Sequence, residues 1–187
     1  MENLIRIGLL LCNIVFKLIP KVWPQNPEIL ERRCYKKHRT RIDKLVAAQA
    51  GRSEDARLAR GNQKLLALGN RFAFRANLVW GRSRIDEYRA AWFNVLAAEA
   101  YREAQNHKQA GGFFHFAAHD FRGVGEYAIA GRYYCESAKE FKQGGDNRNA
   151  IRACQRGLAC FHQVCDDLDP TFREMIRLKG SLTDDLS

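Results

Sequence analysis

Proline is missing from most of the chain, and this absence favours helix. The four prolines stand at positions 20, 24, 27 and 170, so the 142 residues from 28 to 169 contain none. Because proline removes a backbone donor and kinks a helix, that stretch can be helical almost throughout. Hydrophobic residues make up 46% and charged residues 28% of the 187, which excludes collagen-like, low-complexity and wholly disordered chains.

The cysteines do not form the pattern of a disulfide framework. None of the six forms a C-x-x-C pair, and the chain is longer than the small secreted domains that depend on such bridges. Four of them fall where a helix would hold a small apolar residue. We therefore expect reduced, mostly buried thiols in a cytoplasmic protein.

No apolar run is long enough to cross a membrane as a helix. The run from Ile7 to Ile19 has thirteen residues, against the roughly twenty that a bilayer requires. A narrow polar stripe predicts an amphipathic helix within residues 1–27, ended by a proline-rich turn. Three alternatives remain open: packing on its own domain, contact with a membrane interface or partner helix, or a targeting signal. The contact residues would be Ile7, Leu10, Leu11, Ile14, Val15 and Leu18.

Acidic residues are scarce in the first half of the chain. Residues 1–90 hold 19 Lys and Arg against 8 Asp and Glu, whereas residues 91–187 are close to neutral. The densest basic run comprises Arg32, Arg33, Lys36, Lys37, Arg39, Arg41 and Lys44. It is either a solvated helix face or a surface for an anion, which would be nucleic acid, an anionic membrane or an acidic protein. A membrane role would make the protein a peripheral membrane protein.

A 20-residue periodicity dominates residues 86–168. One column of the alignment contains Ala90, Ala110, Ala130 and Ala150, and another contains Tyr101, Phe121, Phe141 and Phe161. Within each row the small and aromatic residues follow the spacing of one helix face. Glycine and asparagine fall between the rows, where helices end. We expect four helices, each followed by a turn, that form two antiparallel hairpins.

The flanking segments follow this repeat pattern less well. Residues 28–85 are predicted to form basic helices, with one long helix over 28–50. Residues 53–80 are predicted to be a degenerate capping pair, broken near Gly61 or Gly69. Within 169–187 we expect a short helix from Thr171 to Leu178 and then a polar tail.

The repeat resembles the tetratricopeptide-like superfamily, and within it the SNAP-type array. The resemblance covers residues 86–166 and rests on the strings AAWFNVLAAEAYREAQNHKQAGGFFHFAAHDF and AGRYYCESAKEFKQGGDNRNAIRACQRGLACF. Those strings show A-x-x-[FY]-x-x-A-A-x-x-[FY] helices and Gly-Asp turns, but neither a 34-residue period nor the proline that closes each tetratricopeptide unit. The resemblance implies an all-α, right-handed solenoid of helical hairpins that binds other proteins.

Residues able to carry chemistry do not form a recognisable site. His115 and His119 are four residues apart, but the column of His119, which includes Glu99, is predicted to be exposed, and further ligands are missing. In the segment 160–165, two cysteines and a histidine are spread around the helix. We therefore predict no catalytic residue, no metal site and no cofactor.

These observations predict a non-enzymatic adaptor or scaffold that binds a partner peptide or helix. The alternative is an anion-directed binder that uses the basic run over 32–44 to contact nucleic acid or an anionic membrane.

Overall fold

A computed structural model describes residues 27–50, 55–81, 83–164 and 169–184. This part of the chain contains seven α-helices and no strand. The helices are α1 (Pro27–Ala50), α2 (Asp55–Val79), α3 (Arg84–Glu103), α4 (His107–Gly123), α5 (Tyr127–Gln143), α6 (Asn147–Val164) and α7 (Pro170–Asp184). The prediction of an all-α fold is confirmed for these residues, as is the long helix that begins the basic region. The residues predicted to make contact in the N-terminal helix, Ile7 to Leu18, lie outside them.

Each helix from α2 onward packs against the next helix along the chain. In addition, α1 contacts both α2 and α3, and α5 contacts α7. Odd-numbered helices therefore lie in one layer and even-numbered helices in the other. The alanine column Ala90, Ala110, Ala130 and Ala150 is fully buried between them, and the aromatic column Tyr101, Phe121, Phe141 and Phe161 is buried as well.

Three successive turns share one hydrogen-bond pattern at intervals of 20 residues. Backbone N–H groups of Asn106, Glu126 and Asp146 donate to the carbonyl oxygens of Tyr101, Phe121 and Phe141, over 2.9, 2.9 and 2.8 Å. This is the Schellman arrangement, which satisfies carbonyls at a helix end and requires a left-handed residue at its centre. That residue is Gln105 (φ 59°), Gly125 (φ 88°) or Gly145 (φ 73°). The predicted turns are confirmed, with glutamine in the first of them.

Glycine allows aromatic rings to approach the backbone of the preceding helix. A Cβ atom at Gly111 would lie 2.9 Å from the Phe141 ring, and one at Gly131 would lie 2.7 Å from the Phe161 ring. Both distances are shorter than any ordinary carbon contact, so the interface requires a residue without a side chain. The contact recurs at the same place in consecutive helices.

The predicted break in the segment 53–80 is wrong. Helix α2 runs without interruption through Gly61 and Gly69. Gly69 is used for close packing instead, since its added Cβ would lie 3.0 Å from the Tyr101 ring. Glycine inside a helix costs about 1 kcal/mol relative to alanine, and the packing contact outweighs that cost.

Helix α2 is also related to α4 by a shift that the 20-residue spacing does not predict. Their buried positions correspond at an offset of 42 residues, as Leu68, Gly69, Phe72 and Ala76 match Ala110, Gly111, Phe114 and Ala118. Two repeats of the 20-residue spacing would give an offset of 40. Two additional residues therefore lie between α2 and α3. By the same offset, Phe74 of α2 corresponds to Phe116 of α4.

Two further predictions need correction. The final helix α7 extends to Asp184 instead of ending at Leu178, because fully buried Leu182 fixes its last turn against the core. Glu99 is buried although its column was expected to be exposed. Helix α1 covers this part of α3, and periodicity within the repeat cannot predict that contact.

Candidate functional site

The basic run lies on α1 and is largely exposed. Lys36, Lys37, Arg41 and Lys44 are open to solvent. The side chains of Arg32 and Arg33 lie outside the part that the structure describes. The exposed members keep their charge available to a ligand.

Arg39 differs from its neighbours because carboxylates surround it. Its guanidinium lies 3.0 Å from Asp43, 3.1 Å from Glu99 and 3.5 Å from Glu103. The Tyr35 hydroxyl donates to the same Glu99 carboxylate over 2.6 Å. Burial and then the charge of Glu99 raise the pKa of Tyr35 above its usual range. Arg39 therefore holds α1 against α3 and does not form part of the free basic surface.

A groove between α1 and α2 brings four cationic side chains together. It has a volume of about 320 Å³ and is lined by Arg41 and Lys44 of α1 and by Lys64 and Arg71 of α2. Its apolar lining consists of Leu45, Ala67 and Leu68. No carboxylate lines it among the described residues. We call this feature the α1/α2 groove.

The carboxylates of the odd-numbered layer are mostly paired. Lys139 bridges Glu136 of its own helix and Glu174 of α7, at 3.0 Å to each. Arg102 of α3 lies 3.0 Å from the same Glu136, and Arg132 lies 2.9 Å from Asp169, which is just before α7. These pairs link α3, α5 and α7 and favour one relative placement of the three helices.

The two histidines of α4 are not brought together on a metal-binding face. The imidazole Nε2 of His115 lies 2.5 Å from the Arg156 guanidinium, and its ring packs on Tyr134. Burial, followed by the charges of Arg156, His119 and Arg122, lowers the pKa of His115 to about 4. In the described part of the chain, no three His, Cys, Asp or Glu side chains are placed to hold a metal ion.

The described thiols are buried and reduced. Cys135, Cys154 and Cys160 are free and lie in the core, as the sequence predicts. Burial raises the pKa of Cys135 to about 12 and that of Cys154 to about 11. A thiol that stays protonated is a poor nucleophile, so neither cysteine is poised for covalent chemistry.

Large apolar side chains are exposed on the even-numbered layer. Phe74 is 63% exposed, Trp80 58% and Phe116 57%, and Leu78 is exposed beside them. We call this set of four residues the α2/α4 surface. Most exposed hydrophobic residues occur singly, whereas a group of large ones marks an interaction site.

Contacts between the helices place these residues in one region. The Tyr101 hydroxyl lies 2.5 Å from Asn70 of α2, and its ring stacks on Phe113 at 5.2 Å between centroids. Phe113 in turn contacts Phe116 at 5.9 Å. Phe74 lies one turn beyond Asn70, so Tyr101 contacts both α2 and α4 within one helical turn of their exposed phenylalanines.

A buried carboxylate fixes the orientation of Trp80. The Trp80 indole N–H donates to Oδ1 of Asp120 over 3.2 Å, and the Asn94 amide donates to Oδ2 over 2.9 Å. Burial raises the pKa of Asp120, while the hydrogen bonds from Asn94 and Trp80 oppose that shift. The indole is thus held in place with much of its ring exposed. A rigid aromatic ring loses little entropy on binding, which suits it to an interface.

None of the described helices is both long and apolar enough to cross a membrane. Comparisons of this chain with protein-family models, curated proteins and solved structures found no match. Over the residues that the structure describes, the architecture is all-helical, with helices that pack in chain order.

Proposed function

We propose that this protein is a non-enzymatic adaptor that binds a peptide or helix of a partner protein on the α2/α4 surface. In this proposal the helices form a right-handed solenoid of the tetratricopeptide-like, SNAP-type class. Catalytic residues, a cofactor and a resident metal have no part in it. The reduced thiols fit a cytoplasmic location.

One observation carries the proposal: Phe74 and Phe116 occupy corresponding positions on α2 and α4, and both are exposed. The four other pairs that define this match, from Leu68 and Ala110 to Ala76 and Ala118, are buried. Two large rings at equal register therefore present a regular apolar surface to the outside. Aromatic residues held in this way often supply most of the binding energy in protein interfaces.

An amphipathic helix is the partner element that suits this surface best. Phe74 and Leu78 are four residues apart and project from one face of α2. Phe116 is exposed at the corresponding position of α4. A partner helix with apolar residues at three- and four-residue spacing would pack against both helices, as in other helix-in-groove complexes.

The test is affinity capture of partners by the full chain and by matched surface variants. We expect one partner at near-stoichiometric amount, lost with Phe74→Ser or Phe116→Ser. Ile176→Ser is the control, because Ile176 is also exposed but lies on α7. All three variants should retain the stability of the parent within about 0.5 kcal/mol, since the changes are at the surface. Absence of a stoichiometric partner, or loss only with Ile176→Ser, would contradict the proposal.

The second candidate is binding of an anionic surface through the basic run over 32–44. The exposure of Lys36, Lys37, Arg41 and Lys44 favours it. Binding to nucleic acid would weaken steeply as salt rises, because condensed counterions are released on binding. Association with anionic vesicles would instead assign the run to a membrane. Binding to neither would remove this candidate.

A further inference from the structure

The α1/α2 groove has an excess of positive charge that the described residues do not balance. Arg41, Lys44, Lys64 and Arg71 all line it, and none of them forms an ion pair with a described carboxylate. Among the acidic residues of α1, Asp43 has a described side chain, and it lies 3.0 Å from the Arg39 guanidinium. Cations that share a groove repel one another, so an anionic ligand would relieve the repulsion.

The size of the groove restricts what that ligand can be. Its volume of about 320 Å³ is in the range of small-molecule sites and is too small for a folded domain. A phosphate monoester carries about 1.5 to 2 negative charges near neutral pH, so two or three such groups match four cations. Carboxylates carry one charge each, so four of them would have to enter the groove together to match the same cations.

We infer that the α1/α2 groove binds a compact molecule bearing two or more phosphate groups. The planar guanidinium groups of Arg41 and Arg71 can each bind a phosphate through two parallel hydrogen bonds. Lys44 and Lys64 add compact charges on the same two walls. This inference does not depend on the adaptor proposal, and it confines anion binding to a defined part of the basic surface.

The apolar lining gives the site a second property. Leu45, Ala67 and Leu68 lie among the cations, and Leu68 is buried while Ala67 is exposed. A ligand with a carbon skeleton between its phosphates, such as an inositol ring, gains contact there. We therefore expect an inositol polyphosphate to bind more tightly than inorganic tripolyphosphate of similar charge.

Calorimetric titration of the full chain at about 0.15 M ionic strength tests the inference. The soluble probes are tripolyphosphate and inositol trisphosphate, and the variants are Lys64→Gln and Arg71→Gln. Each variant should weaken binding roughly tenfold or more, which is the usual effect of losing a charge-assisted hydrogen bond. Because both side chains are exposed, the variants should remain folded, as circular dichroism will show.

Lys36→Gln is the matched control, since Lys36 belongs to the same basic run but lies on a different face of α1 from Arg41 and does not line the groove. At this salt the Debye length is about 8 Å, so distant charges act weakly and we expect less than about a threefold change. Equal losses in the groove and control variants would show diffuse charge attraction and overturn the inference. Failure of both soluble probes to bind would also overturn it.

Vesicles distinguish the two sources of the phosphate groups. Neutral phosphatidylcholine vesicles are compared with vesicles that also contain phosphatidylinositol bisphosphate or phosphatidylserine. Binding that requires the bisphosphate lipid and is lost with Arg71→Gln would assign the groove to a lipid headgroup. Binding of the soluble probes alone would assign it to a free phosphate compound. Tighter binding of a single-stranded oligonucleotide that also requires Lys36 and Lys37 would contradict the inference.

Discussion

Two adjacent glycines in α4 allow a direct test of how closely the helices pack. The Phe141 ring of α5 lies where a Cβ at Gly111 would stand, at 2.9 Å, whereas a Cβ at Gly112 would meet nothing within 4 Å. The Ser137 hydroxyl donates to the Gly111 carbonyl over 2.8 Å and holds α5 in place one turn away. The substitutions Gly111→Ala and Gly112→Ala therefore differ in steric consequence while sharing their helix propensity.

The expected magnitudes follow from two opposing effects. Replacing glycine by alanine inside a helix stabilises the folded state by about 1 kcal/mol at either position. At Gly111 the new methyl group must displace the Phe141 ring or separate α4 from α5, and overpacking of this kind costs about 1–3 kcal/mol. We expect Gly112→Ala to be more stable than the parent and Gly111→Ala to be about 2 kcal/mol less stable than Gly112→Ala.

Reversible urea unfolding followed by circular dichroism at 222 nm measures the difference. In thermal unfolding of the same variants, a difference of 2 kcal/mol corresponds to about 4–8 °C in Tm for a chain of this length. Because the propensity gain is common to both variants, the difference reports the steric cost alone. Equal stabilisation by the two substitutions would refute the close approach of Phe141 to α4.

Three other predictions concern single residues. Gln105→Gly should raise the free energy of unfolding by about 1 kcal/mol in urea titrations, because Gln105 has φ 59° in a turn that uses glycine elsewhere; a loss of stability would contradict that. His115 has a folded-state pKa of about 4, below its unfolded value. The stability that its neutral form contributes is therefore complete above about pH 6.5 and is lost as the pH falls towards 4. After allowance for partial exposure, protonation of His115 lowers the free energy of unfolding by roughly 1 kcal/mol at pH 5. His115→Gln should remove that loss, whereas an unchanged pH dependence of unfolding would contradict the shift. In site-resolved alkylation at pH 8, the buried Cys135, Cys154 and Cys160 should react in denaturant and resist in the native state, and rapid native labelling would contradict their burial.

The four-helix region could be predicted because its signals are local. Each turn holds its left-handed residue within three positions of a helix end, as Gly125 and Gly145 do. Small and aromatic residues then repeat at helical spacing, so both the helices and their boundaries follow from neighbouring residues.

Relations between distant segments could not be predicted in the same way. Two additional residues between α2 and α3 shift the register, which hides the correspondence of Phe74 and Phe116. The burial of Glu99 depends on the position of α1, and no periodic signal determines that position. A single sequence shows only the helical spacing within each element.

The candidate sites illustrate the same division. The run over 32–44 identified Arg41 and Lys44, which line the α1/α2 groove. Lys64 and Arg71 stand apart in α2 and belong to no run, so only the packing of α2 against α1 brings them to the groove. Arg39 lies within the run, yet its carboxylate partners on α3 remove it from the free surface.

Oxidative footprinting of the full chain with its captured partner tests the central claim most directly. Hydroxyl radicals modify exposed aromatic side chains, and Phe74, Trp80 and Phe116 are each more than half exposed in the free protein. The account predicts that their oxidation slows several-fold in the complex, while that of exposed Ile176 on α7 is unchanged. Unchanged oxidation of all three aromatic residues, with protection elsewhere, would contradict a binding site on the α2/α4 surface.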